Sequence, residues 1–260
     1  MALLRCDFFS EVLEVGTSMT VLLPQPGEAQ IGVPAGATGP ERDGFPVLYL
    51  LHGLSDDGTA WQRFTSVERY AAEAGLAVVM PAVGRSFYAD ERRGGSYWTF
   101  LSEELPEVVG RFFRVSAARE DTFVAGLSMG GYGALKWALR DPSRFGAAAS
   151  LSGALDLAAP RGEDDWRRPL LERIFAGPVG AADDLFALLA AADPSTLPPL
   201  YVGCGTEDEL VDQSRRFVAA AVAAGVGVTE DFGPGEHEWG LWDRAVRDVV
   251  DWLPLGLRGR

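Results

Sequence analysis

The polarity pattern of the chain is an alternation of short apolar runs with longer amphipathic stretches. The runs are continuously apolar, as expected for strands that are buried on both faces of a parallel sheet. They predict strands at Phe45–Leu51, Leu76–Pro81, Thr122–Ala125, Ala147–Leu151, Leu200–Cys204 and Val226–Phe232. The amphipathic stretches have apolar residues at helical spacing and predict helices at Val67–Ala74, Tyr97–Phe113, Met129–Leu139, Asp212–Ala224 and Trp239–Trp252. This order predicts an α/β fold, with a mainly parallel central sheet that helices cover on both faces.

The N-terminal part of the chain departs from this alternation. Cys6–Val15 and Met19–Leu23 carry strand-forming residues and predict an antiparallel pair. Together with the buried runs, the pair makes a sheet of about eight strands. The segment that follows, Gln25–Gly44, is rich in Pro and Gly. It predicts a connecting loop that is poorly ordered at its centre.

A second departure lies between two predicted strands. Asp156–Pro194 is too long for a simple connection, and it contains helical pieces around Pro169–Phe175 and Ala182–Ala191. We expect it to be a cap-like insertion over the carboxyl edge of the sheet. The rest of the pattern shows no internal repeat, so we expect residues 1–260 to form a single domain with this cap at about 156–194.

Composition narrows the possible partners. The formal net charge of −14 in 260 residues disfavours nucleic acid and anionic membranes, because both require clustered Lys and Arg. No apolar run approaches the roughly 20 residues of a membrane span. The N-terminus lacks a secretory signal pattern, and Cys6 and Cys204 predict neither a disulfide framework nor a metal site. We therefore expect a cytoplasmic protein that holds no metal or cofactor and whose partner is a small molecule. A homo-oligomer is possible.

The strongest chemical signal is Gly126-Leu-Ser128-Met-Gly130, between a predicted strand and a predicted helix. This context is typical of a nucleophile elbow, in which a serine lies on a sharp turn and its neighbours must be small. The same glycines would also suit a loop that cradles phosphate at a helix N-terminus. The nucleophile interpretation is favoured over the phosphate loop if the rest of the chain supplies a base, an acid and an oxyanion hole.

A serine hydroxyl needs a neighbouring base to become a nucleophile. The chain has two histidines. His237 follows a Pro-Gly loop after the last predicted strand, and we predict that it is the base. His52 precedes the nucleophile and is predicted to shape the oxyanion loop by hydrogen bonds. Lys136 lies eight residues beyond Ser128, about 12 Å along the predicted helix, so it cannot be the base and we expect a solvated surface lysine.

The acid that orients the histidine should follow the preceding strand. Glu207, Asp208, Glu209 and Asp212 all lie there. Asp208 lies just beyond a Gly-Cys-Gly strand end, where a short side chain can turn inward, so we predict Asp208, with Asp212 as the alternative. The order Ser, Asp, His at the carboxyl ends of successive strands is that of the α/β-hydrolase fold.

Backbone N–H groups must stabilise the oxyanion of the tetrahedral intermediate. We predict that the N–H of Met129, next to the nucleophile, is one donor. The second is predicted in the loop after Phe45–Leu51, with Leu54 preferred and Gly53 as the alternative. His52 and Gly53 of this loop, together with Trp239, are expected at the substrate pocket.

Several segments together resemble the bacterial tributyrin and acetyl esterase branch of the esterase D family, whose relatives include S-formylglutathione hydrolases. They are Leu50-Leu-His-Gly-Leu54 with Trp61, Arg85-Ser-Phe-Tyr-Ala-Asp90, Ser102-Glu-Glu-Leu-Pro106, Arg119–Leu135, Cys204-Gly-Thr-Glu-Asp208 and His237-Glu-Trp-Gly-Leu-Trp-Asp243. The resemblance spans nearly the whole chain, but Gln25–Gly44 and Asp156–Pro194 match no motif.

The resemblance implies an α/β-hydrolase with Ser128, Asp208 and His237 as its triad, acting on short-chain acyl esters. Large aromatic rings near the expected pocket, Trp239 above all, would limit the acyl chain to a few carbons. Thioester hydrolysis and acyl transfer use the same acyl-enzyme and remain alternatives. A non-catalytic binding protein is a further alternative, which the presence of all three triad residues disfavours.

Overall fold

The computed structural model describes residues 1–25, 44–160, 162 and 165–255. Within them the chain forms the strands β1 Ala2–Ser10, β2 Val15–Leu23, β3 Val47–Leu51, β4 Ala77–Pro81, β5 Thr122–Leu127, β6 Ala147–Leu151, β7 Leu200–Gly205 and β8 Val228–Gly233. They make one sheet in the order β1-β2-β4-β3-β5-β6-β7-β8. β1 and β2 pair antiparallel, β2 joins β4 antiparallel, and all the remaining pairs are parallel.

The described helices are α1 Ala60–Phe64, α2 Val67–Ala74, α3 Tyr97–Thr99, α4 Leu105–Phe112, α5 Met129–Arg140, α6 Arg168–Phe175, α7 Leu185–Ala191, α8 Val211–Ala223 and α9 Trp239–Trp252. A π-helical turn, Phe100–Glu104, joins α3 to α4, and a 3-10 turn, Arg119–Asp121, precedes β5. In the part of the chain that the structure describes, no helix is long and apolar enough to cross a membrane.

The sheet is covered on both faces, as the continuous apolar runs predict. Along β3, Val47, Tyr49 and Leu51 belong to one buried cluster, and Leu48 and Leu50 belong to another on the opposite face. The first cluster includes residues of α5 and the second includes residues of α9. Because consecutive side chains of a strand point to opposite faces, both faces of this strand must be apolar.

The topology places a crevice at the centre of the sheet. β4 lies on one side of β3 and β5 on the other, so the chain changes direction across the sheet between β3 and β5. In open parallel sheets, ligands bind outside the carboxyl ends of the strands at such a switch point. The loops after β3 and β5, which begin at His52 and Ser128, meet there.

The structure differs from the sequence prediction in a few elements. The predicted strand Cys6–Val15 is divided, because the chain turns between Ser10 and Val15. The predicted helix Tyr97–Phe113 contains the π-helical turn, directly before α4, which has Pro106 in its first turn. Proline has no N–H to continue the helical ladder, which explains a local change of helix type at this point. The short helix α1 was not predicted, and the predicted loop Gln25–Gly44 lies almost entirely outside the described residues.

The 156–194 segment leaves the sheet after β6 and returns at β7. Its helices are α6 and α7, close to the pieces that its apolar spacing predicts. Leu171, Ile174, Leu185 and Leu189 of these helices are buried in the same cluster as α5. The segment therefore packs against the helix that follows Ser128.

The expectation that Lys136 is a solvated surface residue is wrong. Its side chain is fully buried, and its Nζ donates to the carbonyl of Tyr88 at 2.8 Å and to Oδ1 of Asp183 at 2.5 Å. The ammonium group also lies 4.6 Å from the ring centroid of Trp98. The sequence prediction failed because Asp183 belongs to the 156–194 segment, which covers this face of α5.

Candidate active site

Ser128 lies on the sharp turn between β5 and α5. Its backbone has φ 53° and ψ −115°, a conformation that residues with a Cβ rarely adopt. A Cβ at Gly126 would overlap the backbone of Gly130, and a Cβ at Gly130 would overlap the carbonyl of Leu51. The two glycines are therefore needed where strand and helix pass each other, and the turn holds the serine hydroxyl at the sheet edge.

Ser128, His237 and Asp208 form a continuous chain of hydrogen bonds. Nε2 of His237 lies 3.1 Å from Oγ of Ser128, and Nδ1 lies 2.8 Å from Oδ2 of Asp208. Because an ionised carboxylate only accepts hydrogen bonds, Nδ1 carries the imidazole proton. Nε2 is then unprotonated and faces the serine hydroxyl, the arrangement that general-base activation requires.

Asp208 is held in its ionised form. Burial by itself would raise the pKa of the Asp208 carboxyl, but hydrogen bonds from His237 and from the backbone N–H of Leu210 outweigh it and lower the pKa. The Leu210 bond measures 2.8 Å. A buried carboxylate with a depressed pKa keeps its charge beside the imidazole over a wide pH range.

The other acids of this loop point elsewhere. The side chain of Asp212 is 78% exposed and pairs with Arg215. Glu207 accepts from the backbone N–H of Gly235 at 2.6 Å. Glu209 lines the cleft, and only Asp208 among the four sequence candidates contacts His237.

The two predicted oxyanion donors lie at the switch point. Among the described residues, neither the N–H of Leu54 nor that of Met129 donates to a protein acceptor. Both residues line the cleft above Ser128. The N–H of Gly53, the alternative donor, is engaged with Oδ2 of Asp56 at 3.2 Å. Because of this bond, Leu54 is favoured over Gly53 as the predicted oxyanion donor. The same bond identifies Asp56, which the sequence analysis did not single out, as a support of the loop.

His52 holds the same loop from behind. Its Nε2 accepts from the N–H of Val83 at 3.1 Å, and its Nδ1 donates to the carbonyl of Gly53 at 2.7 Å. Burial lowers the pKa of the His52 imidazole, which favours the neutral form that these two bonds need. The side chain is 1% exposed and does not line the cleft. His52 therefore supports the loop that contains Gly53 and Leu54. Its expected place in the wall of the cleft is wrong, because the ring turns inward to the N–H of Val83 and lies beside the ring of Tyr88.

The cleft above Ser128 has a volume of about 780 Å³. Its walls include Gly53, Phe87, Trp166, Arg167, Trp239 and Trp242. Trp166 and Arg167 come from the 156–194 segment, which thus forms part of one wall. Trp239 packs against Trp242, with ring centroids 5.2 Å apart. Gly53 and Trp239, which the sequence analysis predicts at the substrate pocket, both line this cleft.

Two further residues lie close to His237. Trp242 is one of the aromatic rings that the sequence places near the expected pocket, whereas Ser152 was not singled out. Trp242 packs edge-on against His237, with ring centroids 4.8 Å apart, and Ser152 lies behind it. A tryptophan five positions after the histidine was a visible signal, because the spacing places both residues near the start of α9. Nothing in the sequence around Ser152 distinguishes it from an ordinary strand end.

A serine on a sharp strand-to-helix turn, hydrogen-bonded to a histidine that contacts an aspartate, and eight strands in this order are the features of a serine hydrolase of the α/β-hydrolase fold. The family model described as "Putative esterase" matches residues 22–252. The chain therefore belongs to this esterase family, a family of carboxylic ester hydrolases.

Individual relatives agree with this family. An acetyl esterase from Caldicellulosiruptor saccharolyticus is 28% identical over 97% of this chain and 98% of its own length. Among solved structures, the fluorophosphonate-binding serine hydrolase F of Staphylococcus aureus has a TM-score of 0.84 and 31% identity, with 98% of each chain covered. The S-formylglutathione hydrolase of S. aureus has a TM-score of 0.81 and 30% identity, covering 98% of this chain and 99% of its own.

Proposed function

We propose that the protein is a serine carboxylesterase that hydrolyses short-chain acyl esters through an acyl-enzyme on Ser128. The observation that carries the proposal is the unbroken chain of hydrogen bonds from Ser128 through His237 to Asp208 at the floor of the cleft. The expectation that a few-carbon acyl group fits best is supported by Trp239 and Trp242 close to the base.

In the first half of the reaction, Oγ of Ser128 attacks the acyl carbonyl carbon. Nε2 of His237 accepts the hydroxyl proton as the new C–O bond forms, and Asp208 stabilises the imidazolium. The carbonyl electron pair moves onto oxygen, where the N–H groups of Leu54 and Met129 donate to the oxyanion. The tetrahedral intermediate then expels the alcohol, which takes the proton from Nε2.

In the second half, water replaces the alcohol. His237 takes a proton from the water, whose oxygen attacks the acyl carbon of the Ser128 ester. The second tetrahedral intermediate is stabilised by the same two N–H groups, and its collapse breaks the bond to Oγ. The proton returns to Ser128, the carboxylic acid leaves, and the starting state is restored.

We propose that the chain functions as one α/β-hydrolase domain, with the 156–194 segment as a cap on the substrate side of the cleft. The contributions of Trp166 and Arg167 to the cleft wall support this role. The packing of α6 and α7 residues into the cluster of α5 supports a cap that is anchored to the body of the enzyme.

The proposal is tested by hydrolysis of p-nitrophenyl acetate. Ser128→Ala is expected to reduce kcat by at least about 10³-fold, because the nucleophile is lost while the fold remains. Ser143→Ala is the matched control, since that exposed hydroxyl donates to Asp141 just after the end of α5. Equal rates for wild type and Ser128→Ala would refute the proposed function.

A thioester is the second candidate substrate. It is favoured by the 30% identity to the S-formylglutathione hydrolase of S. aureus over nearly the whole chain. The proposed acyl-enzyme is the same for both substrates, so the elbow does not separate them. A kcat/KM for S-formylglutathione at least tenfold above that for p-nitrophenyl acetate and ethyl acetate would favour the thioester; the reverse order would favour the ester.

A further inference from the structure

The strand β1 lies at one edge of the sheet. Among the described residues it pairs only with β2. All nine residues of Ala2–Ser10 pair with β2 in one unbroken register, without a bulge, and none of them is a proline. A long regular edge of this kind presents a row of backbone N–H and C=O groups that a further strand can bind.

The outward face of β1 is apolar at both ends and charged at its centre. Leu3 is 49% exposed and Phe9 is 59% exposed, although the solvent face of an edge strand usually carries polar residues. Arg5 and Asp7 lie between them on the same face, because alternate residues of a strand point the same way. Both charged side chains are 65% exposed. The face therefore presents, in order, an apolar, a positive, a negative and an apolar side chain.

This order is self-complementary when a second copy of β1 runs antiparallel to the first. A two-fold axis at Cys6, the midpoint of the strand, places Leu3 opposite Phe9 of the second copy and Arg5 opposite Asp7 of the second copy. Each of these pairs occurs twice in the dimer. Apolar pairs and opposite charges that lie directly across from each other stabilise a pair of strands.

Neighbouring registers lose this match. An axis at Arg5 would place arginine opposite arginine, and an axis at Asp7 would place aspartate opposite aspartate. Like charges directly opposite each other destabilise a pair of strands. The register centred on Cys6 is also the one that pairs Ala2–Ser10 along its full length. Charge, apolar contact and strand length therefore favour the same axis.

The opposite edge of the sheet lacks this complementarity. β8 contains Glu230 and Asp231 and no cationic residue. A symmetric pair of β8 strands would gather these carboxylates without an opposite charge, in a chain whose net charge is already −14. A second copy therefore fits at β1 and not at β8.

We propose that the protein is a homodimer in which the β1 strands of two copies pair antiparallel about an axis at Cys6, so that the two sheets become one continuous sheet. The partner is thus a second copy of this chain. The inference does not depend on the proposed function, because β1 contributes no residue to the cleft above Ser128.

Charge reversal tests the pairing. In light scattering over a concentration series, wild type at micromolar concentration should have twice the chain mass of 27.9 kDa. Arg5→Glu leaves two acidic side chains on each strand, and Asp7→Arg leaves two basic ones. Each variant alone should raise the dissociation constant of the dimer at least about tenfold, because like charges then face each other at two places. Arg111→Glu makes the same reversal on the exposed surface of α4 and should leave the dimer unchanged.

Mixing the two reversed variants distinguishes pairing from a general effect of charge. An equimolar mixture of Arg5→Glu and Asp7→Arg places opposite charges across the interface again, so a dimer should form with an affinity close to that of wild type. Its formation would show at the same time that both variants are folded.

The apolar ends of the strand have a test of their own. Phe9→Ser should raise the dissociation constant about tenfold, because each dimer loses two cross-strand apolar pairs. Val222→Ser is the matched control, since Val222 on α8 is also an apolar residue with 59% exposure.

Cys6 reports the position of the axis. Directly opposite residues of an antiparallel pair have Cα atoms about 4.5–5.5 Å apart. The two Cys6 thiols of the dimer should therefore be joined by a short bismaleimide, and denaturing electrophoresis should show a linked dimer. Cys6→Ser should abolish the linked species, because the other thiol, Cys204, is buried.

Four results would overturn the inference. They are a wild type that keeps the mass of one chain throughout the concentration series, a dimer that tolerates both charge reversals, a mixture of the reversed variants that stays monomeric, and a wild-type dimer that is not linked through Cys6. Assemblies that grow beyond two copies with concentration would also contradict it, because they indicate head-to-tail contacts that do not close. None of these results bears on the activity of Ser128.

Discussion

The ammonium group of Lys136 lies 2.5 Å from a carboxylate oxygen of Asp183, and this contact joins α5, the helix that begins directly after Ser128, to the 156–194 segment. The lysine is fully buried, whereas the aspartate is 24% exposed. Tyr132 strengthens the junction, because its hydroxyl donates to the backbone carbonyl of Asp183 at 2.7 Å. The proposed cap is thus attached by polar contacts beside its apolar packing.

This junction predicts a pH dependence of stability. Burial lowers the pKa of Lys136 to about 8, although Asp183 and Asp90 act in the opposite direction, and Arg140 lowers it further. An unfolded lysine has a pKa of about 10.4. Between these values the unfolded chain binds more protons, so the contribution of Lys136 to the free energy of unfolding should rise as pH rises from about 8 to about 10.4.

Urea unfolding of wild type and Lys136→Met at pH 7, 8.5 and 10 measures this contribution. The difference in free energy of unfolding, wild type minus variant, should be constant below pH 8 and move in favour of wild type at pH 10. Arg111→Met is the control, because that residue forms an exposed pair with Glu107. A difference that stays flat to pH 10 would contradict the lowered pKa.

The proposed triad predicts unequal effects for two neighbouring aspartates. Asp208→Asn keeps the shape of the side chain but places an amide beside Nδ1 of His237, which permits the wrong tautomer of the imidazole. We expect kcat on p-nitrophenyl acetate to fall by about 10³- to 10⁴-fold. Asp212→Asn should change it less than about twofold, because that carboxylate is exposed and pairs with Arg215. Comparable losses in both variants would remove Asp208 from the proposed role.

The turn at Ser128 predicts that alanine substitution has opposite effects on stability at two glycines. Gly130→Ala would place a methyl group against the carbonyl of Leu51, and the turn that holds Ser128 must shift or the variant must unfold. Gly110 lies inside α4 with no atom within 4 Å of an added Cβ. Gly110→Ala should raise the free energy of unfolding by about 0.5–1 kcal/mol. Thermal melts with labelling by a fluorophosphonate probe report both effects. A Gly130→Ala protein that melts and labels like wild type would refute the steric argument.

The features that could be predicted best from the sequence are those that depend on neighbouring residues along the chain. The parallel strands were visible because burial on both faces demands unbroken apolar runs, and the elbow because its glycines are required at fixed spacing from Ser128. Asp208 could be preferred over Asp212 because it lies closer to a strand end, and of these two aspartates Asp208 is the one that contacts His237 in the structure.

The features that sequence reasoning missed depend on which distant segments meet. Lys136 looked like a surface residue because helical position alone does not show that Asp183, 47 positions later, lies over it. His52 was expected at the pocket because its loop is there, but its ring turns inward to the N–H of Val83. Ser152 carried no signal, since its backbone strain and its bond to Trp242 arise only when β6, β7 and α9 are assembled.

The wall of the cleft predicts how acyl length affects the rate. The Trp239 ring is fixed between Phe64 at 4.9 Å, Trp242 at 5.2 Å and Trp61 at 5.5 Å, so it cannot easily turn aside for a long acyl chain. Wild type should therefore prefer p-nitrophenyl acetate to the octanoate, and Trp239→Ala should raise the octanoate-to-acetate ratio of kcat/KM at least about tenfold. That gain corresponds to the burial of about two methylene groups in the space vacated by the indole. Trp239→Phe, which keeps a smaller ring, should give an intermediate ratio, and Trp252→Phe should leave the ratio unchanged. A wild type that favours octanoate, or a ratio that does not respond to Trp239→Ala, would show that this tryptophan does not limit the acyl chain.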